Sequence, residues 1–242
     1  MEEHFKYLGV VFNYNGSFVK HKKHLYDQAQ KAMFALLKRN RELDLPIDIQ
    51  LELFDSLVLP ILLYGCEVWG GENTDILEKL HLKYIKYILG LKMSTPTCMI
   101  LGETGRFPVN ISIKLRLISY WSNVVQPDNH NKLSVIMYNV IYAYHINEMF
   151  KSNWLTFVNN ILLECDLNHM WLYQSTFVKF PANIFKPILQ SNFMKQWKCT
   201  VYNSRKCVLY RIYKEDFSFE NYLYSTSRKV RRTLSQITHR TT

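Results

Sequence analysis

Apolar residues recur at helical spacing through most of this chain, and that spacing constrains its fold more than any other feature. Between residues 20 and 41 the apolar side chains follow at intervals of three or four: Leu25, Ala29, Ala32 and Leu36, with Met33 and Leu37 beside them. This is the period of one face of an α-helix. Lys and Arg residues flank the stripe, so we expect a helix that packs on a core and turns a basic face to solvent or phosphate.

The same periodicity and helix-ending residues predict more helices. The predicted spans are 47–69, interrupted by Pro60, then 75–89, 96–103, 109–125, 133–149, 152–164, 168–176 and 184–214. Gly90 is placed to end the 75–89 helix, whose exposed positions are expected to include Lys79, Lys83 and Lys86. The 242 residues include 8 Gly and 7 Pro, which favours long helices over a loop-rich β architecture.

Residues 4–18 have a different pattern. The segment from Phe5 to Phe12 is rich in aromatic and β-branched residues, and Asn15-Gly16 suits the positive φ angles of a tight turn. We therefore expect a mainly α fold in which an N-terminal β-hairpin is followed by a multi-helix bundle.

A cluster of turn-forming residues at 127–131, Pro-Asp-Asn-His-Asn, is the predicted boundary between two parts. The first part, 1–126, would contain the hairpin and a helical domain. The second part, 127–242, would be a C-terminal basic helical region.

The net charge of +10 indicates a polyanionic partner, and DNA or RNA is the expected one. Two groups of basic residues are the predicted contacts: Lys22, Lys23, Lys31 and Lys38 in the first helix, and Arg228, Lys229, Arg231 and Arg232 near the C-terminus. A solvated helix face explains the first group equally well from charge alone. The acidic N-terminal start and the short apolar runs predict neither secretion nor membrane insertion, so a nuclear or cytoplasmic location is expected.

Catalytic patterns are missing from the sequence. Adjacent aspartates, which metal-dependent polymerases use, do not occur, and neither does a Gly-rich phosphate loop. The five scattered cysteines are expected to be free thiols without a metal site. No cofactor and no small-molecule substrate are therefore expected. Aromatic residues between 138 and 171 are interpreted as core rather than as base-stacking side chains: Tyr138, Tyr142, Tyr144, Trp154, Phe157 and Trp171.

Three local patterns, in order, resemble the reverse transcriptases of non-LTR (LINE-type, jockey-like) retrotransposons. They are Phe-Lys-Tyr-Leu-Gly-Val at 5–10, the stretch Leu-Phe-Asp-Ser to Glu-Val-Trp-Gly at 53–70, and Gly-Glu-Thr-Gly-Arg-Phe-Pro at 102–108. The resemblance implies a hairpin that grips the primer end through Tyr7, Leu8 and Gly9, and thumb-domain helices at 20–90 that contact template and primer.

The Tyr/Phe-x-Asp-Asp metal-binding motif of that family, which belongs to its catalytic palm, is not in this sequence. The expectation is therefore a fragment of an RNA-directed DNA polymerase that binds nucleic acid without catalysis on its own. A helical scaffold or protein-interaction module and a non-functional transposon remnant remain alternatives. The oligomeric state is left open.

Overall fold

The structure is a computed structural model, and it describes residues 4–71, 73–125, 132–174 and 182–224. Two antiparallel strands, β1 (His4–Tyr7) and β2 (Val10–Asn13), open the chain. The α-helices follow in this order: α1 (Val19–Leu43), α2 (Ile47–Leu57), α3 (Leu59–Leu62), α4 (Cys66–Trp69), α5 (Asp75–Leu89), α6 (Thr97–Thr104), α7 (Val109–Val124), α8 (Leu133–Ile146), α9 (Asn153–Glu164), α10 (Asn168–Leu172), α11 (Phe185–Asn203) and α12 (Tyr210–Tyr213). Short 3-10 helices lie at Ala182–Ile184, Arg205–Cys207 and Asn221–Tyr224. The predicted fold class, mainly α with an N-terminal hairpin, is confirmed.

The hairpin turn lies at Leu8 and Gly9, so the prediction that placed it at Asn15-Gly16 is wrong. Leu8 and Gly9 have φ angles of 46° and 82°, and two positive φ angles define the type I′ turn whose twist matches paired strands. Asn15 and Gly16 form a second turn, in which the Gly16 N–H donates to the Asn13 carbonyl at 3.0 Å. This second turn ends β2 and directs the chain into α1.

Helix α1 buries the apolar stripe that its sequence predicts and packs against α2, α3 and α5. It ends where Asp44 adopts a left-handed conformation, with φ of 44°. Pro60 interrupts the next helical stretch as predicted, because α2 ends at Leu57 and α3 carries Pro60 in its first turn. Gly65, with φ of 67°, then opens α4.

The predicted 184–214 helix is too long, because α11 ends at Asn203. A continuous helix would place Tyr210 about 140° around the axis from Trp197. The break after Asn203 allows both side chains to pack against α6. The helices predicted at 133–149 and 168–176 also end early, at Ile146 and Leu172.

The chain divides into two compact units. Unit 1 comprises Met1–Tyr64, Thr74–Val109 and Asn192–Thr242, and unit 2 comprises Gly65–Asn73 and Asn110–Ser191. The boundary that the sequence predicts after residue 126 lies outside the described residues. Within the described ranges, no helix is both long enough and apolar enough to cross a membrane.

A buried polar network joins α1, α2 and α5 in unit 1. Asn40 Nδ2 donates to Gln50 Oε1 at 3.1 Å and to the Tyr84 hydroxyl oxygen at 3.0 Å. The Tyr84 hydroxyl donates to the Gln50 backbone carbonyl at 2.6 Å, and Gln50 Nε2 donates to the Leu45 carbonyl at 2.6 Å. The Tyr84 ring stacks on Phe54 with 4.5 Å between centroids. The network fixes the relative positions of the three helices because each buried polar bond has a defined direction.

The last described segment of unit 1 packs on α6. Trp197 Nε1 donates to the Cys98 carbonyl at 2.7 Å, and the Tyr210 hydroxyl donates to the Met99 carbonyl at 3.2 Å. Gly102 lies against both side chains, since a Cβ atom there would be 2.6 Å from Cζ2 of the Trp197 ring and 2.6 Å from the Tyr210 hydroxyl oxygen. The close approach of α6 to this segment therefore requires glycine at position 102.

The same segment buries a carboxyl group. Glu103 is 2% exposed, and it accepts a hydrogen bond from the Tyr222 hydroxyl. The Glu103 backbone carbonyl accepts from the Glu220 N–H at 3.0 Å, and Glu220 pairs with buried Lys214. Burial, the largest cause, raises the pKa of the Glu103 carboxyl.

Unit 2 has an aromatic core of its own. Trp121 Nε1 donates to the Tyr138 hydroxyl oxygen at 3.1 Å, and the Tyr138 hydroxyl donates to Gln174. The rings of Tyr142 and Trp171 meet edge to face at 5.4 Å. The aromatic residues that the sequence predicts to be core are mostly covered. Tyr138 and Trp171 are buried, and Tyr142, Trp154 and Phe157 are half-buried. Tyr144 is exposed, so the prediction is wrong for that residue.

Candidate nucleic-acid interface

Three of the lysines predicted to bind nucleic acid lie together on the outer face of α1. Lys23, Lys31 and Lys38 are exposed and lie within about 80° of one another around the helix axis. The apolar stripe of α1 lies on the opposite side of the helix, so this side faces solvent. The face spans roughly 22 Å along the helix at 1.5 Å per residue.

Helix α5 extends this face. Lys79, Lys83 and Tyr87 recur at intervals of four residues, so their side chains line one side of α5, which packs against α1. Phe34 of α1 and Tyr87 are both 46% exposed, and their rings meet edge to face at 6.5 Å. The Lys83 ammonium lies 5.3 Å from the centroid of the Phe34 ring. We call the residues Lys23, Lys31, Phe34, Lys38, Lys79, Lys83 and Tyr87 the α1–α5 surface.

The charges on this surface are poorly neutralised. In the ranges that the structure describes, no carboxylate forms an ion pair with Lys23, Lys31 or Lys38. Asp27 is exposed on the same side of α1. Glu78 of α5 is directed elsewhere, since its two oxygens bond the His81 ring and the Val109 N–H. The surface therefore presents a positive field in which phosphates can replace counterions.

The charge of the whole chain is divided unequally between the units. Unit 2 contains six Lys or Arg and six Asp or Glu, for a net charge of zero. The net charge of +10 therefore belongs entirely to unit 1, the unit that carries the α1–α5 surface.

The structure removes Lys22 from the predicted contact surface. Lys22 is 3% exposed, because it lies on the same side of α1 as Leu25 and Ala29. Its neighbour His21 is also buried and accepts a hydrogen bond at Nδ1 from the Val11 N–H at 3.3 Å. Burial lowers the pKa of His21 and so favours a neutral ring there.

Lys86 is also less accessible than the sequence predicts. It is 9% exposed, its Nζ donates to the Met93 carbonyl at 2.6 Å, and burial lowers its pKa. It lines a cavity of about 310 Å³ between the C-terminal ends of α1 and α5. Arg41 and Asp44 line the same cavity, so its charge favours no single class of ligand.

The predicted primer-grip residues form the hairpin tip. Tyr7 and Leu8 are 62% and 73% exposed. The Tyr64 hydroxyl, which the sequence interpretation did not single out, donates to the Leu8 carbonyl at 2.6 Å. A Cβ atom on Gly9 would lie 3.0 Å from the Tyr64 ring, so glycine permits this contact. The tip is thereby anchored while its two side chains project into solvent.

The second predicted contact group, Arg228, Lys229, Arg231 and Arg232, lies outside the described residues. Across the described ranges, His, Cys, Asp and Glu side chains form no group of three that is positioned to hold a metal ion. Phe34 and Tyr87 were missed by the sequence interpretation, which gave neither residue a role; their exposure and ring contact become visible only in the structure.

No protein-family model, no curated protein and no solved structure matches this chain.

Proposed function

We propose that this chain is a thumb-side region of a retrotransposon reverse transcriptase and that unit 1 binds a primer–template duplex without catalysis of its own. The α1–α5 surface makes the principal contact, and the hairpin tip at Tyr7, Leu8 and Gly9 lies against the primer end. The observation that carries the proposal is the exposed row of Lys23, Lys31 and Lys38 beside the Phe34–Tyr87 ring pair.

This arrangement supports contact with a phosphate backbone. Duplex DNA carries one negative charge per roughly 1.7 Å of its axis, so a row of about 22 Å faces several phosphates. The three lysines would attract the duplex independently of its sequence, because they would contact phosphates rather than base edges. The Phe34 and Tyr87 rings, placed between the lysines, offer an apolar platform for a sugar or an unpaired base.

The test is fluorescence anisotropy of a labelled primer–template duplex titrated with the full chain over a series of salt concentrations. The variant Lys23→Ala/Lys31→Ala/Lys38→Ala removes three charges from the α1–α5 surface. The matched control Lys132→Ala/Lys151→Ala/Lys186→Ala removes three exposed charges from unit 2. Both variants have the same net charge, so they separate a local contact from a general electrostatic effect.

We expect the wild-type chain and the unit 2 control to bind alike, with an affinity that falls steeply as salt increases. The α1 variant should bind at least tenfold more weakly and lose about 2 to 3 from the slope of log K against log salt, since each phosphate contact contributes about 0.9. Equal weakening by both variants would place the binding elsewhere. A folded wild-type chain that does not bind at low salt would refute the proposal.

A protein-interaction module is the second candidate function, and unit 2 favours it. That unit has no net charge and exposes a large apolar face on α8. The two functions are compatible because the features that support them lie in different units.

A further inference from the structure

Helix α8 of unit 2 is apolar on two opposite faces. Its inner face carries Val135 and Tyr138, which are buried, and Tyr142 and His145, which contact Trp171. Its outer face carries a stripe at intervals of three or four residues, with exposures from 43% to 74%: Leu133, Ile136, Met137, Val140 and Tyr144. We call these five residues the α8 stripe.

An apolar helix of this kind is normally covered. Residues 133–146 contain no Asp, Glu, Lys or Arg. Helices that are hydrophobic all round lie in the interior of a protein or assembly. Single exposed apolar residues are common on protein surfaces, but a contiguous apolar patch of several hundred Å² marks an interaction site.

A cavity adjoins the stripe. It has a volume of about 250 Å³ and lies between α7, α8 and α9 of unit 2. Met137 belongs to both the stripe and the cavity wall, and Tyr120 and Trp154 line the cavity from the other helices. A ridge beside an apolar cavity is the shape that accepts one large side chain of a partner as an anchor.

We infer that the α8 stripe is the contact surface for a second copy of this chain. The charge of unit 2 favours that occupant over nucleic acid and over an anionic membrane. With a net charge of zero, unit 2 does not attract nucleic acid and adds nothing to the repulsion between two copies, whose charge of +10 each belongs to unit 1. An anionic membrane would require a series of Lys or Arg along the rim of the helix, and residues 133–146 supply none, although Lys132 immediately precedes the helix.

The accessible surface that the α8 stripe would bury agrees with a weak, symmetric dimer. The five large side chains of the stripe are about half exposed. If a partner covered them, each copy would bury on the order of 500 Å² of accessible surface, and a two-fold contact would bury roughly 1,000 Å² in total. Met149 and Phe150, which follow α8, are 72% and 59% exposed and can add to it. This total lies near the lower limit for specific interfaces. The dimer should therefore be weak, and its population should depend on protein concentration.

The test is sedimentation velocity of the full chain, without nucleic acid, from about 1 to about 200 µM, a range that brackets a micromolar dissociation constant. Ile136→Glu/Val140→Glu places two charges in the stripe. Asn139→Glu is the control for an added carboxylate on α8, because Asn139 is an exposed residue of the helix outside the stripe. Circular dichroism and thermal unfolding establish that each variant is folded. Leu133→Lys/Val140→Lys replaces the first variant if it does not fold, since Leu133 is 74% exposed.

We expect a concentration-dependent dimer for the wild-type chain and for Asn139→Glu, and a folded monomer for the stripe variant. A wild-type chain that stays monomeric over the whole range would overturn the inference. A dimer that survives in a folded stripe variant would overturn it too, because the contact would then lie elsewhere. Binding of monomers to phosphatidylserine vesicles through the stripe would assign the surface to a membrane instead. Duplex binding is measured separately, so failure of the dimer leaves the proposed function of unit 1 standing.

Discussion

Tyr84→Phe isolates the contribution of the polar network that joins α1, α2 and α5. The substitution removes one oxygen and leaves the ring stacked on Phe54 at 4.5 Å. Two hydrogen bonds are lost, one to the Gln50 carbonyl at 2.6 Å and one from Asn40 Nδ2 at 3.0 Å. Both partners lie in the buried interior, where an unsatisfied polar group costs about 1–3 kcal/mol. We therefore expect the free energy of unfolding to fall by about 1–3 kcal/mol.

Urea unfolding followed by circular dichroism measures this loss, and the thermal midpoint should fall by about 2–4 °C for each kcal/mol in a chain of this length. Tyr87→Phe is the matched control, because Tyr87 is on the same helix and 46% exposed. It should change stability by less than about 0.5 kcal/mol. Equal effects of the two substitutions would show that the network does not hold the three helices together.

Three further predictions concern the packing on α6 and the thiols. Gly102→Ala should lower the free energy of unfolding by about 1–3 kcal/mol in urea titrations, because the new Cβ meets Trp197 and Tyr210 at 2.6 Å. Burial raises the pKa of the Glu103 carboxyl in the folded chain. The stability that the protonated carboxyl contributes is therefore complete below its ordinary pKa of 4.5 and is lost as the pH rises through the folded-state pKa. Thermal unfolding of Glu103→Gln should therefore depend less on pH above 4.5. Maleimide labelling of the native chain should modify Cys199, the exposed thiol, far faster than the four buried ones.

Much of the helical architecture can be predicted from spacing alone. The stripe of α1, the interruption at Pro60 and the end of α5 at Gly90 follow from periodicity and from residues with restricted or permissive backbones. The burial of Lys22 follows from the same spacing. Extending the stripe from Leu25 by one turn places position 22 on the buried side, whereas the charge of the residue alone favours exposure.

Other features depend on contacts between distant parts of the chain. The hairpin closes at Leu8-Gly9 rather than at Asn15-Gly16, and the early turn is anchored by Tyr64, 56 residues away. The ring pair of Phe34 and Tyr87 requires the packing of α1 on α5. Neither local propensity nor motif spacing contains that information, which explains why the aromatic part of the candidate interface was missed.

The packing on α6 also has a consequence for synthesis of the protein on the ribosome. Trp197 and Tyr210 reach back 99 and 111 residues to the carbonyls of Cys98 and Met99. At about 5–20 residues per second, α6 leaves the ribosome roughly 5–20 s before the segment that covers it. During that interval the apolar side of α6 is accessible to chaperones and to other nascent chains. Slow translation of residues 104–210 should therefore increase aggregation of the newly made chain.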